Sequence, residues 1–192
     1  MKNDKEFRIG TAGVGDGPYN TGKLAAAALG LTKVHMLTSY GGSAEVFYGV
    51  MRKEADGAIG TLESFGELVE QGVARVIVLF DLKRWERMPN VPTLMELVKT
   101  TSGRAAATYL SSEGELVRSI FSSPNLPADT AQTLRTALMR ALQNENFKKT
   151  VAKMNMEPFD PLPGEETAKK VAAALNMPAD VAKFIREAGK TL

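Results

Sequence analysis

The sequence predicts an α/β fold: a parallel-sheet unit followed by additional C-terminal helices. Three observations carry this. Through residues 7–99, short apolar runs alternate with segments of helical period. Glycines fall near the ends of those segments, at Gly30, Gly57 and Gly72. From Arg104 onward the alternation gives way to amphipathic helical patterns. Strands separated by helices of this length need crossover connections, and crossovers make parallel sheets.

Taken in order, the predicted strands are FRIG (7–10), VHML (34–37), GAIG (57–60) and VIVLF (76–80). The helical segments between them are KLAAAALG (23–30), SAEVFYGVMRKE (43–54) and LESFGELVEQG (62–72). Ser43 is placed to cap a helix beginning near Ala44. After the loop MPNVPTL (88–94), Pro92-Thr93 opens a short helix with Leu94, Leu97 and Val98 on one face. LVRSIF (116–121) reads as one more strand. The helix ADTAQTLRTALMRALQ (128–143) follows, with Leu134, Ala137, Leu138, Ala141 and Leu142 on one face. NFKKTVAKM (146–154), a helix opening at Gly164 with Glu165 and Glu166 in its first turn, and NMPADVAKFIREAG (176–189) complete the chain. The expected division is an α/β unit over residues 1–103 and a mainly helical segment over 104–192.

Composition excludes several classes of function. At 192 residues with 44% hydrophobic content, the chain can bury a core and is too apolar for disorder. Its net charge of +2 is spread without a basic block, so nothing asks for nucleic acid. With no cysteine and one histidine, His35, thiolate chemistry is ruled out and a His-based triad or multi-histidine metal site is disfavoured. No apolar run reaches the roughly 18 residues of a membrane span. The opening MKNDKEFRIG has no apolar core of a signal peptide, so the expectation is a chain without an export signal. No catalytic constellation, metal spacing or cofactor motif is evident, and the chain is expected not to be an enzyme.

One stretch imitates a motif. GDGPYNTGKLA (15–25) has Gly17, four residues, then Gly22-Lys23, the phosphate-loop spacing, and VIVLFD offers an apolar strand ending in Asp81. Against it, TAGVGD separates the strand from Gly17, Pro18 removes a backbone donor, and Leu24 stands where the magnesium hydroxyl belongs. A P-loop-like nucleotide-binding enzyme is therefore the weakest reading. Without the template, FRIGTAGVGDGPYN is a strand, a loop and a helix start at the carboxyl end of a parallel strand. Open α/β sheets bind ligands there. TSYGGSAEV (38–46) repeats the arrangement after the second strand. Two donor-rich turns on one sheet edge suit a carboxylate.

These residues carry a resemblance. GTAGVGDGPY, TSYGGSAEVFYGVMRKEADG, PNVPTLMEL, SSPNLPADTAQTLRTALMRALQNENFKK and MEPFDPLPGEE, in this order, resemble the solute receptors of tripartite tricarboxylate transporters, often called Bug-type receptors. The resemblance runs from about Phe7 to the end. It implies a type II periplasmic-binding-protein-like fold that binds small di- or tricarboxylate-like solutes between two lobes and delivers them to membrane transporter subunits. By position it assigns ligand contacts to Thr11, Ala12, Gly13, Val14 and Gly15, and to Tyr40, Gly41, Gly42 and Ser43. It implies no metal and no cofactor, and a place outside the inner membrane. The sequence as given, lacking an export signal, would instead stay in the cytoplasm. Family members are longer, and this chain reads as their second lobe plus the segment that returns to the first. The apolar faces from Ala128 onward are then expected to drive homo-oligomer formation. The alternative function is a self-associating interaction protein with no small-molecule ligand.

The remaining conspicuous residues have plain readings. His35 is a packed or edge strand residue, and Trp85 anchors a surface loop or lines a cleft. Lys23, Lys83, Arg84 and Arg87 are read as solvated surface charges by default.

Overall fold

The computed structural model describes residues 6–116, 119–154, 161–176 and 179–188. Three strands form a parallel sheet: β1 (Phe7–Gly10), β2 (Val34–Leu37) and β3 (Gly57–Ala58), in the order β2-β1-β3. β1 is central, with Phe7 opposite Val34 and Ile9 opposite Gly57. Helix α1 (Gly17–Ala28) connects β1 to β2, and α2 (Ser43–Met51) connects β2 to β3. Helices α3 (Leu62–Glu70), α4 (Leu94–Leu97), α5 (Thr101–Leu116), α6 (Ala128–Leu142), α7 (Glu145–Lys153), α8 (Gly164–Leu175) and α9 (Ala179–Ala188) follow. Among the described residues, no helix is long and apolar enough to cross a membrane.

One predicted strand does not form, and a second does not where it is described. In VIVLF only Leu79 makes a ladder contact, an isolated parallel bridge to Thr93. Its alternate residue Ile77 is 58% exposed, so the run lacks the two covered faces that a central parallel strand needs. LVRSIF is not a strand where it is described: Leu116 ends α5, and Ile120 and Phe121 lie exposed outside any element. Residues 117 and 118 lie outside the described residues. α5 itself was not foreseen, because TSGRAAATYLSSEGEL mixes two glycines and three serines into a helix.

The chain divides into two compact units, Met1–Gly114 with Met177–Leu192, and Glu115–Asn176. In the first, one core joins Leu24, Ala25 and Ala28 of α1 to Leu94, Val98, Ala106, Ala107, Leu110 and Ala188. The opposite side of α1 meets the sheet. A Cβ at Gly22 would lie 2.8 Å from Met36 Cε and 3.2 Å from Ile59 Cδ1, so the missing side chain is what lets helix and sheet approach. α1 is thus packed on both sides, which explains the small residues of GKLAAAA. β1 is also tied to the turn before β3: the Arg8 guanidinium meets the Asp56 carboxylate at 3.0 Å, and Asp56 N–H donates to the Arg8 carbonyl at 2.8 Å.

α4 begins as expected. Thr93 Oγ1 accepts the Glu96 N–H, and the Glu96 carboxylate accepts the Thr93 N–H, a reciprocal capping box. Leu94 and Val98 point into the core, whereas Leu97 is 41% exposed and does not share that face. Arg84 is not a free surface charge: it forks onto the Glu96 carboxylate and also donates to the Pro89 carbonyl at 2.9 Å. Trp85 anchors the same loop, its Nε1–H donating to Asp81 Oδ2 at 2.9 Å. His35 sits exposed on the edge strand β2, with Nδ1 3.8 Å from Glu6.

In the second unit, α6 places Asp129 in its first turn and Arg140 in its last, each favourable to the helix dipole. Val151 is the only buried residue among those described there. Leu134, Leu138, Phe147, Met154 and Leu175 are all exposed.

Two measurements probe the first unit. Leu94, only 1% exposed, sits at the centre of its core, so Leu94→Ala should lower unfolding stability by about 2–5 kcal/mol in urea titration. The pair with Arg84, with backbone Thr93 assisting, holds the Glu96 carboxyl at about 2, below its ordinary 4.5. A depressed acid contributes stability that is present above the unfolded value and lost as pH falls towards the folded one. Glu96→Gln should therefore lower Tm at pH 7, with the difference from wild type closing between pH 4.5 and 2.

Candidate functional site

β1 ends at Gly10, but the chain stays in register for one more residue. Thr11 N–H donates to the Leu37 carbonyl at 2.7 Å, and its hydroxyl donates to the same oxygen at 3.3 Å. Thr11 is wholly buried as a result. The loop then turns around one side chain. Asp16 Oδ2 accepts the N–H groups of Ala12 at 2.9 Å and Gly13 at 3.0 Å, while Oδ1 accepts the Tyr19 N–H at 2.6 Å. Asp16 is the N-cap of α1, and Pro18 stands in the first helical turn, where its missing N–H costs nothing. Asn20 Nδ2 donates back to the Gly15 carbonyl at 3.0 Å and closes the loop.

The turn after β2 is built differently. Gly41 N–H donates to Glu45 Oε2 at 2.7 Å. α2 starts at Ser43 rather than Ala44, and its N-cap is Gly42, which offers no side-chain cap. Ser43 is therefore the first helical residue and not the cap the sequence predicts. The first N–H groups of a helix have no partner within it, so this end of α2 presents open donors.

Between the two turns lies a cleft of about 140 Å3. Gly10, Thr11, Ala12, Asp16 and Pro18 line one side, and Gly42, Ser43, Val46 and Phe47 the other. Ile59, just beyond β3, completes it. It opens at the carboxyl ends of the strands, where the order β2-β1-β3 sends successive connections to opposite sides of β1. Among the described lining residues, Asp16 is the one charged side chain.

Of the residues expected to contact ligand, Thr11, Ala12, Gly42 and Ser43 line this cleft. Gly13 and Gly41 give their N–H groups to Asp16 and Glu45. Val14 projects into solvent at the loop tip, and Gly15 turns the chain there with φ of 82°. Tyr40 packs against the backbone: a Cβ on Gly10 would lie 3.2 Å from its ring, and one on Gly49 would overlap its hydroxyl. Asp16 escaped the sequence reading because α1 was expected to begin at Lys23. The signal was present, since Asp before Gly-Pro marks a helix N-terminus.

The phosphate-loop imitation also resolves. Gly17 is the first residue of α1, so Lys23 lies in its second turn rather than at its start. Lys23 is not a solvated surface charge either. It is 2% exposed, with Nζ 5.2 Å from the centre of the Tyr19 ring, and Leu24 belongs to the core. Gly22 serves the helix–sheet approach.

A second cleft, of about 180 Å3, is lined by Asn20, Leu24, Tyr109, Leu110, Glu113 and Ile185. Burial pushes the Glu113 carboxyl and, with the Glu113 charge adding to it, the Tyr109 phenol upward.

Sequence comparison adds a family to this geometry. Residues 3–183 match the family model described as tripartite tricarboxylate transporter family receptor. The chain belongs to this family. No curated protein matches the receptor. The match spans both compact units, and the cleft between the β1 and β2 turns lies wholly within the first.

Proposed function

We propose that the receptor binds a small carboxylate in the cleft between the turns after β1 and β2, and passes it to membrane transporter subunits without chemical change. The observation that carries this is the uncapped start of α2 facing the cleft at Gly42 and Ser43. Free backbone N–H groups with the positive end of the helix dipole suit a carboxylate. The buried Thr11 and the main chain of Ala12 form the opposite wall, and Phe47, Val46 and Ile59 supply an apolar floor. In this proposal residues 1–103 carry the whole binding surface, residues 104–192 supply the helical segment, and capture takes place outside the inner membrane. The family match supports a solute-binding role, and the cleft supports its position.

A second reading concerns assembly, and a specific observation favours it. α6 and α8 bury no residue, while Leu134, Leu138, Phe147 and Leu175 stay exposed. Apolar surface of this kind usually meets a partner. We propose that a second copy of the chain covers it, with or without a ligand bound.

Each reading has its own test. Proline is tolerated at the first position of a helix, so Ser43→Pro should leave Tm near wild type while deleting one donor from the cleft. A hydrogen bond to a charged group contributes about 1.5–3 kcal/mol, so carboxylate dissociation constants should rise about 10- to 100-fold in titration calorimetry. Unchanged affinity in a folded Ser43→Pro protein would place the carboxylate elsewhere. For assembly, sedimentation velocity over a tenfold concentration range should show mass rising with concentration, and Leu138→Glu should abolish the rise. A monomer throughout would rule the second reading out.

A further inference from the structure

The first glycine-rich turn is already occupied by an anion, and the chain itself supplies it. Three backbone N–H groups, from Ala12, Gly13 and Tyr19, converge on the Asp16 carboxylate at 2.9, 3.0 and 2.6 Å. That is a donor set of the kind a ligand carboxylate would need. The turn after β2 keeps its helix start open, since Glu45 takes only the Gly41 N–H outside the helix. Each turn thus holds one of the chain's own carboxylates, but among the described lining residues Asp16 alone brings its charge to the cleft. The Gly42–Ser43 end presents donors, and the Thr11–Ala12 end presents a fixed negative charge. No lysine or arginine stands among the described lining residues to balance a second anion there. Like charges a few ångströms apart disfavour each other most where water is partly excluded.

We infer that Asp16 sets the charge of the solute this cleft accepts. The solute carries one carboxylate, seated at the Gly42–Ser43 end, and a neutral or hydrogen-bond-donating group towards Asp16. A solute with a second carboxylate at that end is turned away. The inference rests on the proposal that this cleft binds carboxylates, and it narrows the class within it. Asp16 acts here as a specificity-determining residue as well as a helix cap.

The test has two arms, both on the full chain. In the first, dissociation constants for 3-hydroxybutyrate and succinate are measured by calorimetry for wild type, Asp16→Asn and Asp16→Ser. Asparagine keeps the shape of the cap and removes its charge, and serine is an alternative cap if asparagine does not fold. Wild type should prefer 3-hydroxybutyrate by about tenfold or more, and the variants should narrow or reverse that ratio by a similar factor. Equal affinities in wild type, or a ratio unchanged by both variants, would overturn the inference. Binding of neither acid by any form would remove the carboxylate proposal and the inference with it. The second arm needs no solute. Asp16→Gly empties the nest, and sodium formate should raise its Tm over sodium chloride at equal ionic strength, with no such difference in wild type. A formate effect shows the nest to be an anion site independently of the solute proposal. Its absence in folded Asp16→Gly would overturn the resident-anion account.

Discussion

The burial of α1 on both sides is the constraint from which the rest of the first unit follows. Gly22, Lys23, Leu24, Ala25, Ala26 and Ala28 are all buried, so most of the helix circumference is in contact. One side meets Met36 and Ile59 of the sheet layer, and the other meets the core contributed by α4, α5 and α9. Only small residues allow two layers to close on one helix at this distance. Lys23 is accommodated with its ammonium over the Tyr19 ring.

A helix held so firmly has a fixed N-terminus, and this determines what the site is made of. Asp16 is positioned by α1, and through its contacts with Ala12 and Gly13 it positions the loop leaving β1. The loop in turn forms one wall of the cleft. That wall is made of Gly10, the buried Thr11, Ala12, Asp16 and Pro18, supplied where β1 ends and α1 begins.

Much of this was legible beforehand. β1, β2, α2, α3, α6, α7, α8 and α9 follow the periodicity read from the sequence to within a few residues at each boundary. The errors share a cause. VIVLF has the composition of a buried strand, but composition cannot report whether a neighbouring strand lies beside each edge, and here only Leu79 pairs, in an isolated bridge to Thr93. TSGRAAATYLSSEGEL looks unsuited to a helix until tertiary packing is counted. Ala106, Ala107 and Leu110 are buried against α1, and that burial outweighs weak propensity. In the site, the two turns were identified and brought to one edge. The role of Asp16 was hidden because the helical segment was read from Lys23, six residues past the start of α1 at Gly17.

The glycine-lysine spacing shows how one set of residues can satisfy a motif for unrelated reasons. In a phosphate loop, glycine opens room for an anion and lysine neutralises it. Here Gly17 opens a helix, Gly22 admits the sheet, and Lys23 covers an aromatic ring. The anion role has moved upstream to the backbone of Ala12 and Gly13, and an aspartate already fills it. A free phosphate or a second carboxylate arriving at this turn would have to displace a tethered carboxylate. Tethering makes that competition intramolecular, so the resident group holds the advantage even where an external anion would bind the empty nest well. In the opposite turn the Glu45 carboxylate takes the Gly41 N–H, while no side chain caps the start of α2 at Gly42, and of the two carboxylates Asp16 is the one that lines the cleft.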